Sequence, residues 1–171
     1  KGGRLEYAKE RYAEWSQPQK NERLTVPVFY TSAYGNTRKV ASAIREGILE
    51  AKPDAAVECY DIIEHDMGKL AALLNSSDAF ALGSPTINGD AVPPSWMLLA
   101  HVDAVNNKKK PVLVFGSYGW SGEAAANLRG RLSALKADVF GEDFRVLFVP
   151  APADLSAAQE YGRKFAAWLR G

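Results

Sequence analysis

The sequence predicts an α/β fold, a doubly wound five-stranded parallel sheet with strand order 2-1-3-4-5. Three observations predict it. Short apolar runs alternate with stretches of helical period along most of the chain, the pattern of successive β-α units joined by right-handed crossovers. The run Asp78 to Gly83 is apolar throughout its interior, as a strand buried on both faces must be. Finally, the segments after the first, third and fourth runs are rich in Gly, Ser, Thr and Asn. In a sheet of this order those segments are neighbours outside the C-terminal ends of the strands, at the switch in strand order where ligands sit.

Taken in order, Leu5, Ala8, Tyr12 and Trp15 fall at helical spacing opposite Lys9, Glu10, Arg11 and Glu14, a short amphipathic helix. Residues Ser16 to Asn21 are polar with one proline and read as linker. Residues 1–23 are therefore a lead-in helix and interdomain linker, and residues 24–171 one domain. Leu24 to Tyr30 is the first strand, with Pro27 tolerable only near its start. From Asn36 to Ala51, Val40, Ala43, Ile44, Gly47 and Ile48 form one helical stripe, stopped by Lys52-Pro53-Asp54. Ala55 to Ile62 alternates as the second strand, and Asp66 caps a brief helix to Leu74. Asp78 to Gly83 is the third strand, ending in the loop Ser84 to Asp90. Pro94 to Val105 is a helix with proline near its first position. Lys108 to Pro111 turns into a fourth strand, Pro111 to Gly116, followed by the loop Ser117 to Gly122. Glu123 to Leu135 is helical, Phe144 to Val149 is the fifth strand, and Asp154 caps a closing helix to Leu169.

With 171 residues, 47% hydrophobic and 24% charged, the chain is sized for one well-buried domain. A formal charge of +1 leaves no large basic face and argues against nucleic acid as the main partner. Cys59 is the single cysteine, so no intrachain disulfide forms and a cytoplasmic setting is favoured; its expected role is a small core residue. No apolar run is long enough for a membrane span, and the charged start Lys1 to Arg11 is no signal peptide, so the reading is a soluble protein. The absence of an initiator Met before Lys1 suggests a piece of a longer chain.

Between the first strand and its helix lies Thr31-Ser32-Ala33-Tyr34-Gly35-Asn36-Thr37. Hydroxyls, one glycine and backbone N–H groups without intrahelical partners converge there, which suits the oxygens of a phosphate monoester. The same residues also suit an ordinary helix N-cap. It is no nucleoside-triphosphate loop, since Asn36 follows Gly35 where that motif has Lys, and no dinucleotide turn, which needs three glycines. The other two loops bring Pro85, Ile87, Tyr118 and Trp120 beside exposed backbone at Asn88-Gly89 and Gly119. Flat apolar walls with backbone donors suit a flavin ring, although Tyr118 and Trp120 could also be core aromatics.

These three loops resemble the flavin mononucleotide (FMN) loops of flavodoxins, over residues 24 to 169. More narrowly, Thr-Ser-Ala-Tyr-Gly-Asn-Thr, Gly-Ser-Pro-Thr-Ile-Asn and Phe-Gly-Ser-Tyr-Gly-Trp-Ser-Gly-Glu-Ala resemble the flavodoxin-like domain of flavodiiron proteins, and Tyr12 to Ser16 is similar to the joint that precedes it. The resemblance implies FMN held by Thr31 to Thr37 at its phosphate. It places Pro85, Thr86, Ile87, Asn88 and Gly89, with Ser117, Tyr118, Gly119, Trp120, Ser121 and Gly122, around its ring. It further implies stacking by Trp120 and Tyr118, and backbone at Ile87 to Gly89 meeting flavin N5. By the same resemblance the domain relays electrons from a reductase or rubredoxin-like donor to a di-iron site in a metallo-β-lactamase-like domain, commonly of the other subunit of a homodimer. That site reduces oxygen or nitric oxide. One departure stands out: the chain holds only His65 and His101, in no metal-ligand spacing, so the iron site is not built here. Arg38 and Lys39 are expected on a solvated helix face.

Three other functions compete. A free-standing flavodoxin-like carrier or flavin reductase needs no partner domain, which leaves the lead-in and linker without a role. A phosphoacceptor receiver domain shares the topology but needs acidic residues where Thr31-Ser32 stands. An interaction domain without cofactor leaves the three matched loops unexplained.

Overall fold

A computed structural model of the chain describes residues 21–169. The helix expected over Leu5 to Trp15 and most of the linker lie outside the described residues. The elements are β1 (Val28–Tyr30), α1 (Asn36–Ala51), β2 (Cys59–Asp61), α2 (Met67–Ser76), β3 (Phe80–Ile87), β4 (Asp90–Ala91), α3 (Pro93–Ala100), β5 (Pro111–Tyr118), α4 (Glu123–Ala134), β6 (Asp138–Val139), β7 (Phe144–Leu147) and α5 (Pro152–Trp168). The sheet runs β2-β1-β3-β5-β6, with β7 parallel to the later half of β5 and β4 antiparallel to β3. The expected order therefore holds for the main strands. The place of the fifth is shared: β6 pairs with Pro111 and Val112, and β7 with Phe115 to Tyr118.

Alternation along the strands sorts the core into two layers. Val28, Tyr30, Ala81, Leu113 and Phe115 face α1 and α5, where Val40, Ile44, Ile48 and Phe165 meet them. Phe29, Phe80, Leu82, Val112 and Val114 face the other way, onto Leu70 and Leu74 of α2, Leu98 and Leu99 of α3, and Leu128 and Leu132 of α4. Because α1 and α2 lie on opposite faces, the crevice between β1 and β3 is the switch point of the sheet.

Several boundaries differ from expectation for local reasons. Pro27 interrupts the first strand: it has no N–H to donate, and although Val26 N donates to Ala56 O at 2.9 Å, the regular ladder begins only at Val28. Asp66 caps α2 as expected, its Oδ1 accepting from Lys69 N at 2.9 Å. The last helix starts earlier than expected, with Pro152 in its first turn, so Asp154 acts from inside the helix; its carboxylate accepts from Ala151 N at 2.8 Å.

Burial sets a pH profile for stability. Desolvation lowers Lys110, whose Nζ donates to Leu74 O and Asn75 O at 2.9 Å each, to about 8. It pushes the Cys59 thiol up to about 11 and Tyr161 up to about 12, and it also raises Tyr30 and Tyr60. Between roughly pH 8 and 10.5 the unfolded chain keeps a proton at Lys110 that the folded chain has lost, a contribution that rises with pH. The thiol and phenols act in the opposite sense, because the folded chain holds their protons longer, from roughly pH 8.5 upward. Urea midpoints should stay level or rise slightly to about pH 10 and then fall. A continuous rise through pH 11 contradicts this balance.

Candidate functional site

The first loop leaves the sheet beside β3, with Thr31 N donating to Gly83 O at 3.1 Å. Thr31 is buried, its hydroxyl 3.2 Å from that of Ser95 on α3. Gly35 stands at the start of α1 with φ 78°, a left-handed conformation that glycine adopts without strain, and it has no side chain to cap the helix. The first helical bond runs from Lys39 N to Gly35 O, and Arg38 N donates to Ser32 Oγ at 3.3 Å. The N–H groups of Asn36 and Thr37 precede every carbonyl that could accept from them within the helix. Thr37 is buried and its Oγ1 lies 2.8 Å from Ser117 Oγ, which ties the first loop to the third. Ala33 and Tyr34 are exposed.

Arg38 is turned away from this cradle. Its Nη2 donates to Asp61 at 3.2 Å and to Glu64 at 2.8 Å, and these bonds hold its proton above the usual guanidinium range. Arg38 and Glu64 are both exposed, so that pair adds little to stability, whereas the Asp61 carboxylate is buried. Lys39 is exposed, as expected for a solvated face.

The segment Ser84 to Asp90 is a hairpin rather than an open loop. β3 continues through Ser84 to Ile87, turns at Asn88 (φ 52°) and Gly89 (φ 72°), and returns as β4. Positive φ at both central residues is the type I′ turn, and Asn-Gly is its favoured sequence. Ser84 is buried, its Oγ accepting from Val92 N at 3.1 Å and donating to Pro85 O at 2.9 Å. Thr86 Oγ1 accepts from Ala124 N at 3.3 Å, so its hydroxyl anchors the hairpin to the start of α4. Ile87, Asn88 and Gly89 are exposed.

In the third segment β5 runs through Ser117 and Tyr118, two residues beyond the expected end. Ser117 pairs with Pro85, placing the second and third segments side by side. Tyr118 is half-buried and Gly119 exposed, while Trp120 is 97% exposed and is no core aromatic. The Ser121 hydroxyl holds the Glu123 carboxyl below its usual range, with the Glu123 backbone N–H and Arg145 acting in the same direction. Gly122 lies beside Arg145.

One neighbour of the site is missing from the sequence reading. The expected strand to Val149 stops at Leu147 because Phe148 takes φ 52°. Phe148 N donates to Tyr118 O at 2.7 Å, and its ring lies so near Gly119 that a Cβ there would stand 3.1 Å from it. Leu147, Phe148 and Val149 are exposed, so an apolar rim borders the third segment. The only signal for it is the apolar run Leu147 to Val149 with Pro150 after it, which reads equally well as strand.

All three segments meet at the C-terminal end of the sheet, and their chemistry fits FMN. The cradle offers hydroxyl and backbone donors, the walls at Ile87 and Trp120 are apolar and open, and a Cβ at Gly35 or Gly89 would meet nothing within 4 Å. Among the described residues no group of His, Cys, Asp and Glu could hold a metal ion. His65 is occupied with Asp61 O at 2.8 Å and lies edge-on to Tyr60, and His101 is exposed. A cleft lined by Leu24, Lys109, Lys136 and Trp168 lies at the N-terminal ends of the strands, opposite the three segments.

The family described as flavodoxin matches residues 28–162. The chain belongs to the flavodoxin family. FMN is the cofactor of that family. This chain is 44% identical over 164 residues to the flavo-diiron protein FprA2 of Clostridium acetobutylicum, covering 96% of this chain and 41% of that protein. Among solved structures, the flavodiiron core of Flv1 from Synechocystis matches at 31% identity and a TM-score of 0.75, over 95% of this chain and 40% of that one. A flavodoxin from the domain Archaea matches at 28% identity and a TM-score of 0.71, over 84% of this chain and 96% of that one. The chain thus spans about two fifths of the flavo-diiron protein it matches. No helix among the described residues is long and apolar enough to cross a membrane.

Proposed function

We propose that residues 24–171 are an FMN-binding electron-transfer domain, the C-terminal part of a flavodiiron protein, with residues 1–23 joining it to a preceding metallo-β-lactamase-like domain. Electrons from a reductase or rubredoxin-like donor pass through it to a di-iron site that reduces oxygen or nitric oxide, in a homodimer where the neighbouring subunit supplies that site. The lone Cys59 fits a reducing, cytoplasmic compartment. The observation that carries the reading is the meeting of three segments of unlike chemistry at one switch point, joined by the Thr37–Ser117 bond.

In this reading the residue roles follow from chemistry. The N–H groups of Asn36 and Thr37, with the hydroxyls of Thr31, Ser32, Thr37 and Ser117, hold the phosphate, with Ala33, Tyr34 and Gly35 shaping the loop. The helix dipole of α1 adds about 0.3 to 1 kcal/mol per unit charge. A hydroxyl pair uses one proton between its oxygens, so the Thr37–Ser117 pair keeps one donor for a ligand. Pro85, Thr86, Ile87, Asn88 and Gly89 form one side of the ring site. Tyr118, Gly119, Trp120, Ser121 and Gly122 form the other, and Trp120 stacks on the ring. When bound, FMN supplies the one- and two-electron chemistry; the chain binds it, orients it and limits water around it.

Trp120→Ala should weaken FMN and riboflavin alike by at least about tenfold, the scale of a lost aromatic contact before its buried area is added. Equal affinities for variant and parent would remove Trp120 from the ring site. The proposed function itself is tested by the absorption spectrum of the purified chain. Bands near roughly 370 and 450 nm that bleach on mixing with reduced rubredoxin support it; a colourless chain that takes up no added FMN contradicts it.

A free-standing carrier is the second reading, favoured by the 96% coverage of the archaeal flavodoxin. The exposed apolar rim Leu147 to Val149 favours a larger assembly, since exposed apolar surface of this kind marks a contact site.

A further inference from the structure

We infer that Asp90 is a positioning residue for the flavin ring, the carboxylate that fixes the Asn88-Gly89 turn to the two helices beneath it. The inference rests on the proposed ring site. That turn is held by only two ladder pairs, Thr86 with Ala91 and Ile87 with Asp90, and so short a two-stranded hairpin does not hold its place unaided. Asp90 supplies what the ladder lacks. Its Oδ1 accepts from Ala91 N at 2.7 Å and from Asn127 Nδ2 on α4 at 2.9 Å, while its Oδ2 accepts from Trp96 Nε1 on α3 at 3.2 Å. Trp96 packs against the core layer of that face, so its N–H is a fixed donor rather than a mobile one.

One half-buried carboxylate thus gathers donors from β4, α3 and α4 at the base of the turn. An ionised acceptor makes stronger bonds than a neutral one, and each oxygen of Asp90 is engaged. With the turn fixed, the exposed backbone of Ile87, Asn88 and Gly89 keeps one orientation toward the crevice. Without the carboxylate, the side-chain hydrogen bonds left to the hairpin are Thr86 Oγ1 accepting from Ala124 N and Ser84 Oγ accepting from Val92 N, both at its root, beside the packing of Ala91 in the core. None of the three donors to Asp90 is a residue of the phosphate cradle, so Asp90 should act on the ring and leave the phosphate contribution alone.

The test uses the full 171-residue chain and its Asp90→Ala, Asp90→Asn, Trp96→Phe and Asn127→Ala variants. Affinities for FMN and for riboflavin are measured by fluorescence titration, and the midpoint potential of the bound flavin by redox titration. Asp90→Ala should weaken both ligands by about tenfold while leaving the ratio of the two affinities unchanged, and should shift the potential. Trp96→Phe keeps the aromatic packing and deletes one donor, so it should reproduce part of the loss; Asn127→Ala should do the same. Asp90→Asn retains one accepting oxygen and should fall between parent and Asp90→Ala. If Asp90→Ala does not fold, Trp96→Phe decides: unchanged riboflavin affinity and unchanged potential overturn the proposal. Parental affinities and potential in Asp90→Ala, or a loss confined to FMN, also overturn it. Failure of the parent to bind FMN overturns the ring site itself, whereas binding by the parent with an indifferent Asp90→Ala overturns only the role of Asp90.

Discussion

Gly47→Ala is expected to destabilise the domain by about 3 kcal/mol, a fall in thermal midpoint of roughly 6 to 12 °C for a chain of this size, or to prevent folding. A Cβ at Gly47 would stand 1.8 Å from the carbonyl oxygen of Gln159, and one at Gly162 would stand 2.2 Å from that of Ile44. Both obstacles are backbone atoms, so no rotamer change relieves them. Helices α1 and α5 must separate, which opens the layer built by Ile44, Ile48 and Phe165. Gly130 provides the contrast, because it is an exposed glycine inside α4 with nothing within 4 Å of its missing Cβ. There alanine should stabilise by about 0.5 to 1 kcal/mol. Thermal melts of both variants check the pair; a Gly47→Ala midpoint at or above that of Gly130→Ala would mean the helices are not in this contact.

Thr37→Val should weaken FMN binding by about 10- to 100-fold and leave riboflavin binding nearly unchanged. Valine matches threonine in shape but deletes the hydroxyl that orients the buried Ser117 O–H, so the donor this pair keeps for the phosphate is no longer held in place and the accepting oxygen of Thr37 is gone. The loss falls on the phosphate side, because Thr37 lies in the first turn of α1, where the open N–H groups converge. The measurement is a pair of titrations on the variant. A parallel loss for both ligands would place Thr37 in general support of the domain rather than in phosphate binding.

The main strands and the three segments are legible in the sequence because each has a distinct chemical cause. Asp78 to Gly83 announces burial on both faces, and Gly35-Asn36 marks the start of α1, where the helix begins. The hairpin is not legible from strand pattern, since Ser84-Pro85-Thr86 carries a proline and two hydroxyls and reads as loop. Its signal was Asn88-Gly89, the favoured type I′ pair, which also suits any exposed turn. β6 is two residues long and depends on β5 for its existence. Phe148 is hidden for another reason: an aromatic residue at positive φ runs against its own preference, and its bond to Tyr118 and its place beside Gly119 are not visible in the sequence. The early start of the last helix follows from Pro152, whose fixed φ suits a first turn better than the Asp154 side chain suits a cap.

The central claim, that the crevice between β1 and β3 holds FMN by its phosphate at Thr31 to Thr37 and by its ring at the other two segments, is tested most directly by titrating the purified chain with FMN and with riboflavin side by side. The two ligands differ only in the phosphate. Binding of both, with FMN tighter by about 100-fold or more, is the predicted result, since several charge-assisted hydrogen bonds separate them. Binding of neither ligand contradicts the claim outright, and equal affinity for the two would show that Thr31 to Thr37 does not hold a phosphate.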